Sequence, residues 1–357
     1  MFVQSSDWHL SNYIWADRPL IFGDSFRAAQ QIVDYAIIQE VPLLILGDLF
    51  NTKRPEPEAV ACFTNLMDQM ERSRVPVYVT QGQHELNRGS VIWAEIHGWP
   101  QHMNRRGFEI AGRKFWGLDW LPRGELQEAL REIPADVEFL CCHQVWEEFM
   151  GSMCATDGSI NEIPANVRFV LTGDFHAHRI IQVGNKTVVS TGSTHLRAIN
   201  EEYPKRIFIY DGQQFFSQPI INRELAAGIE IPTEESLVDF IKSVEHVQRR
   251  DPDRRPIWTI RVRMDVPEWK SRLDAAIGER AHVFYDPQPV YDETVEVAEE
   301  VILTAQGGTP GQVMSKCAES VVTDNAAVLT KVQGLLAQTD KKGATEYWQQ
   351  LFAKHVA

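Results

Sequence analysis

Val41-Pro42-Leu43-Leu44-Ile45-Leu46-Gly47-Asp48-Leu49-Phe50-Asn51 is the stretch from which the rest of the chain is read. A short run of large aliphatic residues, bounded by a break, fits a strand buried on both faces. Gly47 lets the backbone turn sharply, and Asp48 is delivered at the strand's carboxyl end, the edge at which open α/β sheets bind their ligands. A Gly-Asp after a strand is by itself a common turn. Here four other strand-like runs also end in residues able to ligate a metal. With those edges side by side, Asp48 sits at the centre, where its two oxygens can bridge two cations.

Outward from this strand the pattern alternates. The opening Phe2-Val3-Gln4-Ser5-Ser6-Asp7-Trp8-His9-Leu10 reads as a first strand ending in Asp-x-His. Asp24 or Ser25 caps a helix over 24–40, with Ala28, Ala29, Ile32, Val33, Ala36 and Ile37 at helical spacing on one face. A second helix fits 58–72, and the strand 75–80 ends in Gly82-Gln83-His84-Glu85. Strand, helix, strand, helix, strand with short links implies right-handed crossovers and a parallel sheet. From 108 to 216 the strands are shorter: 114–118, 137–142, 167–172, 179–183, 187–191 and 207–210, with Gly184-Asn185 as a hairpin signal. Two of them run into histidines, Cys142-His143 and Gly173-Asp174-Phe175-His176-Ala177-His178. A sheet-on-sheet core flanked by helices accounts for this half.

A small α/β appendage follows, with helices over 235–248 and 268–277 and strands over 258–262 and 282–285. Beyond Gly307-Gly308-Thr309-Pro310-Gly311 the tail reads as helical. The expected division is 1–222 for the main domain, 223–306 for the appendage and 307–357 for the tail. The length of 357 residues agrees with about two domains, and 44% apolar with 24% charged residues is ordinary globular material. The five cysteines (Cys62, Cys141, Cys142, Cys154, Cys317) show no paired metal spacing, so reduced core thiols are expected. A net charge of −14 argues against coating nucleic acid by general basicity, while leaving room for local contact with phosphates through cations and a few arginines. With no leader and no apolar run long enough to span a bilayer, a cytoplasmic location is expected.

The strand ends together offer Asp7, His9, Asp48, Gln83, His84, His143, His176 and His178. Two divalent cations need roughly this set: imidazoles give neutral nitrogen donors, carboxylates offset charge and one carboxylate bridges. Such a pair can bind a phosphate and activate a water for in-line attack on phosphorus. A histidine that is not a ligand is useful to stabilise the leaving group, and His84 suits that role, with Glu85 orienting it. His97, His102, His246, His282 and His355 fall in no pattern and are read as structural or solvated; His195 follows a strand, and an approach to the site is the lesser reading beside a structural one.

Ser6-Asp7-Trp8-His9-Leu10, Gly47-Asp48-Leu49-Phe50, Gly82-Gln83-His84-Glu85, His143-Gln144 and His176-Ala177-His178-Arg179 resemble the five ordered motifs of calcineurin-like metallophosphoesterases. The Asp-Trp-His-Leu and Gly-Asp-Leu-Phe forms are similar to those of SbcD / Mre-eleven-type nuclease subunits, bacteriophage members included. The resemblance implies an α/β fold, a four-layer αββα metallophosphoesterase sandwich with a capping domain and a helical tail. It implies a two-metal DNA exo- or endonuclease that uses manganese, or magnesium, and works with an SbcC-like coiled-coil ATPase, whose binding region would be the tail, and with two-fold pairing to a second copy. Carried over by position, Asp7, His9, Asp48 and His178 take one metal, Asp48, Gln83, His143 and His176 the other, and His84 is catalytic. Asn51 and the basic cluster Arg249, Arg250, Arg254 and Arg255 are the expected DNA contacts, a solvated ion-paired loop being the other reading of that cluster. The chain departs from the pattern in having Gln83 for Asn, Asn51 for His, and Phe175 between Gly173-Asp174 and the paired histidines. A phosphatase or nucleotide phosphodiesterase on the same fold, and a scaffold with a degenerate metal site, are the alternatives.

Overall fold

The computed structural model describes residues 1–288 except 16, 17, 19, 87–97, 151–155, 245, 247–253 and 264. In chain order the strands of the main body are β1 Phe2–Ser5, β2 Leu43–Leu46, β3 Val77–Thr80, β4 Gln101–His102, β5 Arg106–Ile110, β6 Arg113–Gly117, β7 Phe139–His143, β8 Phe169–Gly173, β9 Arg179–Val183, β10 Lys186–Ser190, β11 Arg206–Tyr210 and β12 Phe215–Pro219. Helices α1 (Asp24–Ile38) and α2 (Pro57–Arg72) are the crossovers around β2, and α3 (Arg123–Arg131) precedes β7.

These strands form two six-stranded sheets, ordered β12-β11-β1-β2-β3-β4 and β5-β6-β7-β8-β10-β9. The run 43–46 is the middle of the first sheet, parallel to β1 and β3, with Val3, Leu43 and Val77 in register. Side-chain alternation explains the layers. Val3, Leu43, Ile45, Val77 and Val79 pack with Ile32, Val33, Phe63 and Met67 of α1 and α2. The intervening Phe2, Leu44, Leu46 and Tyr78 meet Phe115, Phe139, Phe169 and Leu171 of the second sheet. On that sheet's other face Leu140, Cys142, Val170 and Val188 pack with Leu126 and Leu130 of α3 and with Trp146. The result is the expected αββα sandwich. The register Phe115–Phe139–Phe169 stacks three rings at centroid spacings of 4.4 and 4.5 Å, which fixes the second sheet against slippage.

The appendage is a three-stranded sheet, β13 (Leu225–Ile231), β14 (Ile257–Arg263) and β15 (His282–Gln288), with α4 (Glu234–Val244) and α5 (Trp269–Ile277). Leu237, Val244, Trp258, Ile260, Leu273 and Ile277 form its core. β13 has no counterpart in the sequence reading, because Leu225-Ala226-Ala227-Gly228 lacks β-branched alternation and carries a register shift. The chain divides into one unit of residues 1–262 and 266–287, to which this architecture belongs, and a second of 263–265 and 288–357. The expected tail, 307–357, lies outside the described residues. Cys62, Cys141 and Cys142 are free thiols. Among the described residues no helix is long and apolar enough to cross a membrane.

Candidate metal centre

The parallel strands β1, β2, β3, β7 and β8 send their carboxyl ends to one edge, and the chain leaves each strand at once. Asp7 N–H donates to Gly47 O (3.1 Å) and His9 N–H to Asp48 O (3.0 Å), so the loops after β1 and β2 are zipped together. Asp7, His9, Asp48 and Asp174 all have left-handed backbone, with φ of 51, 41, 47 and 70°. Each such residue costs about 1–3 kcal/mol, a strain that surrounding structure must hold and that concentrates at functional sites. Two glycines make the crowding possible. A Cβ at Gly82 would lie 2.1 Å from Asp48 Oδ1, and one at Gly47, where φ is 79°, would lie 2.3 Å from His143 Nδ1.

The gathered side chains form two halves around Asp48. In the first, His9 Nε2 is 3.7 Å from both Asp7 Oδ1 and Asp48 Oδ2. His176 Nε2 is 3.3 Å from His9 Nε2 and 3.5 Å from Asp7 Oδ1. In the second, His143 Nε2 is 3.4 Å from Asp48 Oδ1 and 3.9 Å from Asp174 Oδ1. Gln83 Nε2 donates to Asp174 Oδ1 (2.9 Å), and Asp174 N–H donates to Asp7 Oδ2 (3.2 Å). Asp48 therefore turns one oxygen to each half. His84 stands over the first half, its Nε2 3.7 Å from Asp48 Oδ2 and its side chain 27% exposed.

The imidazoles are oriented from behind, as metal ligands usually are. His143 Nδ1 donates to Leu46 O (2.6 Å), and His176 Nδ1 faces Glu201 Oε1 (3.2 Å). Glu201 is itself anchored by Lys205 Nζ (2.9 Å), Ser193 Oγ (3.2 Å) and Arg197 N–H (3.0 Å).

Donor chemistry and electrostatics fit two divalent cations. Asp7 Oδ1, Gln83 Oε1 and His143 Nε2 are buried with no hydrogen-bond partner, an expensive arrangement unless an ion satisfies them. Burial would raise the Asp7 and Asp48 carboxyls, yet the imidazoles around them hold Asp7 well below the usual range and Asp48 at about 2. Asp174 is pushed up by burial and by the charges of Asp7 and Asp48, against the pull of His143, so it is a third acid sharing the same small space. Burial lowers His9 to about 4, against the pull of Asp7 and with help from Arg197. Burial also works to lower His143 and His176, but Asp48 raises the first well above its ordinary value, and Asp7 and Glu201 raise the second to about 9.

The structure brings together Asp7, His9, Asp48, Gln83, His84, His143 and His176, and redistributes the fifth motif. His176 joins Asp7 and His9 rather than Gln83 and His143, and Asp174 takes the place expected for a histidine in the second half. His178 is not brought in: its Nε2 faces Glu202 Oε1 at 3.2 Å, and the chain there is entering β9. The reason is spacing. The turn is counted from Gly173, so its first and third following residues, Asp174 and His176, face the centre, and Phe175 and Ala177 do not separate a displaced pair. Glu85 does not orient His84 either. Its oxygens accept from Phe50 N–H (3.0 Å) and Gly82 N–H (2.8 Å), and His84 Nδ1 has no partner. Burial and the Asp48 charge push the Glu85 carboxyl up to about 8, which suits a structural tie between two loops.

Of the expected DNA contacts, Asn51 lies at the rim, where its Oδ1 accepts from Arg197 Nη2 (3.4 Å). Arg254 is buried and bonded to Asp24 (3.4 Å), alongside the Arg223–Asp24 pair, so it is a core residue rather than a DNA contact. Arg255 Nη2 pairs with Glu279 (3.1 Å), while Arg249 and Arg250 lie outside the described residues. His195 is fully buried beside Thr194 and belongs to none of the cation-holding groups among the described residues. The sequence reading missed Asp174, Glu201 and Arg197. The Gly173-x-x-His176 spacing would have found the first; the other two belong to no strand-end motif.

The calcineurin-like phosphoesterase family pattern matches residues 1–177. The chain is 24% identical over 196 residues to the DNA double-strand break repair protein Mre11 of Methanosarcina mazei, covering 51% of this chain and 31% of that protein. It is 22% identical over 318 residues to the Mre11 protein of Thermoplasma acidophilum, covering 77% of this chain and 82% of that one. The alignment thus spans about a third of the length of the first relative and most of the second. Among solved structures the chain is similar to an archaeal phosphodiesterase, at 13% identity and TM-score 0.37, covering 61% of this chain and 99% of that one. Residues 1–177 thus form a calcineurin-like phosphoesterase domain, the kind found in metal-dependent phosphodiesterases.

Proposed function

We propose that the chain is a two-cation DNA nuclease that hydrolyses phosphodiester bonds, loaded with manganese or magnesium. The observation that carries this reading is Asp48, whose two oxygens face two sets of ligands with orphaned buried acceptors. Asp7, His9, Asp48 and His176 would hold one cation, and Asp48, Gln83, His143 and Asp174 the other. A pair of cations held there supplies charge neutralisation for a phosphate and a water acidic enough to attack phosphorus. The protein's own part is to bury Asp7, His9, Asp48 and His143 and to pre-orient the donors around them. His84, partly exposed above the first half, donates a hydrogen bond or proton to the leaving oxygen. DNA as the substrate rests on the repair role printed in the relatives' names and on the length shared with the Thermoplasma protein. The same resemblance supports an SbcC-like ATPase partner docked on residues 307–357, a capping domain at 223–306 and a homodimer.

The test is manganese-dependent degradation of single- and double-stranded DNA by the purified chain, with Asp48→Ala and His84→Ala as controls. Cleavage lost in both variants supports the proposal. Cleavage unchanged in both places the activity elsewhere, and turnover of nucleotides far above DNA makes the chain a small-molecule phosphodiesterase.

A further inference from the structure

Arg197 is a charged group set against the site's imidazoles that neither the motifs nor the ligand sets use. Its Nη1 donates to His9 Nε2 at 2.8 Å and lies 3.0 Å from His176 Nε2, and its Nη2 donates to Asn51 at 3.4 Å. The side chain is half-buried, and its Nε is buried without a partner. Among the described residues no carboxylate forms an ion pair with this guanidinium. The nearest acid in sequence, Glu201, spends its oxygens on Lys205, Ser193, His176 and the backbone N–H of Arg197.

A neutral imidazole Nε2 has one lone pair, which can accept from Arg197 or bind a cation but not both. Guanidinium has no lone pair to offer, so it cannot serve as a ligand itself. With His9 committed to a cation, Arg197 must release it. A half-desolvated positive charge with no carboxylate waiting then needs an anion. The anion that belongs at this edge is a phosphate, whose paired oxygens match the guanidinium fork. Asn51 keeps the other arm at the rim, so the required movement is a swing of one end rather than a departure.

We propose that Arg197 is a substrate-binding residue that yields His9 to the metal and grips the non-bridging oxygens of the scissile phosphate. The inference rests on the two-cation reading of the centre. It is tested on the full chain by calorimetric titration, first with manganese alone and then with inorganic phosphate on the manganese-loaded protein, for the parent, Arg197→Ala and Arg197→Lys. Arg197→Ala should weaken phosphate by about ten- to a hundredfold, with Arg197→Lys in between, because lysine keeps the charge and loses the fork. Manganese affinity should be unchanged or tighter in Arg197→Ala, since a competitor for His9 has gone. Unchanged phosphate affinity in Arg197→Ala, or manganese affinity that falls in both variants as for a mere prop of His9, overturns the inference. A parent that binds no manganese defeats the two-cation reading as well, whereas intact manganese binding with phosphate untouched by Arg197→Ala defeats only this one.

Discussion

The two halves of the centre share Asp48 and differ in almost everything else. The first is built from Asp7, His9 and His176, two imidazoles and a carboxylate brought together by a strand end and a turn. The second has one imidazole, His143, beside a carboxamide and a carboxylate that bond to each other, Gln83 and Asp174. Gln83 is a methylene longer than Asn, and Asp174 tethers its amide. With Gln83 and Asp174 as the proposed ligands, the second half would offer harder oxygen donors than the first on the same strand geometry.

The largest effect should come from removing what the halves share. Asp48→Ala is expected to lower DNA cleavage by about a thousandfold or more and to reduce manganese stoichiometry at both positions; one full-strength site in a binding isotherm would break the idea of a shared bridge. His84→Ala should cost about a hundred- to ten-thousandfold in turnover while leaving both cations bound, so parallel loss of metal would make it a ligand. Asp174→Ala should weaken one manganese site by about ten- to a hundredfold and spare the other, and Asp174→His should shift that site's preference from magnesium toward zinc or cobalt.

Proton release sharpens the comparison further. His176, raised to about 9, and His143, raised well above its ordinary value, both carry a proton at neutral pH in the absence of cations, whereas His9, lowered to about 4, does not. Each cation must displace one of those protons, so affinity in both halves should rise with pH by about tenfold per unit around neutrality. Calorimetry in buffers of different ionisation enthalpy should count about two protons released. Glu201→Gln should lower the proton affinity of His176, still held up by Asp7, and leave His143 as it is, because Glu201 raises the first and does not touch the second. The smallest effect belongs to His178→Ala, which should leave both affinities unchanged; a lost site there would restore the ligand set that the motif spacing first implied.

Much of this was legible in the chain. The run 43–46 as a doubly buried strand, the two crossover helices and the Asp7, His9, Asp48 and His143 positions follow from periodicity and from residues delivered at strand ends. The fifth motif was misread because a His-x-His pair is conspicuous, and the pair was matched by residue type. The backbone counts from Gly173, and it is the left-handed turn at Asp174 that decides which side chains face inward. Glu85 was misassigned for a related reason. Adjacency in sequence to His84 says nothing about direction inside a tight turn, where the carboxylate is drawn to the amides of Phe50 and Gly82. Arg254 looked like surface charge until Asp24, remote in sequence, was seen to hold it in the core. Arg197 and Glu201 lie beyond the strand ends in a loop without a motif, and only the fold shows what they face.

The most direct test is anomalous diffraction at the manganese edge from crystals grown with manganese. Two peaks sharing Asp48 are expected, one against His9 and His176 and the other against His143 and Asp174. A single peak, or a peak ligated by His178 in place of Asp174, would contradict the account.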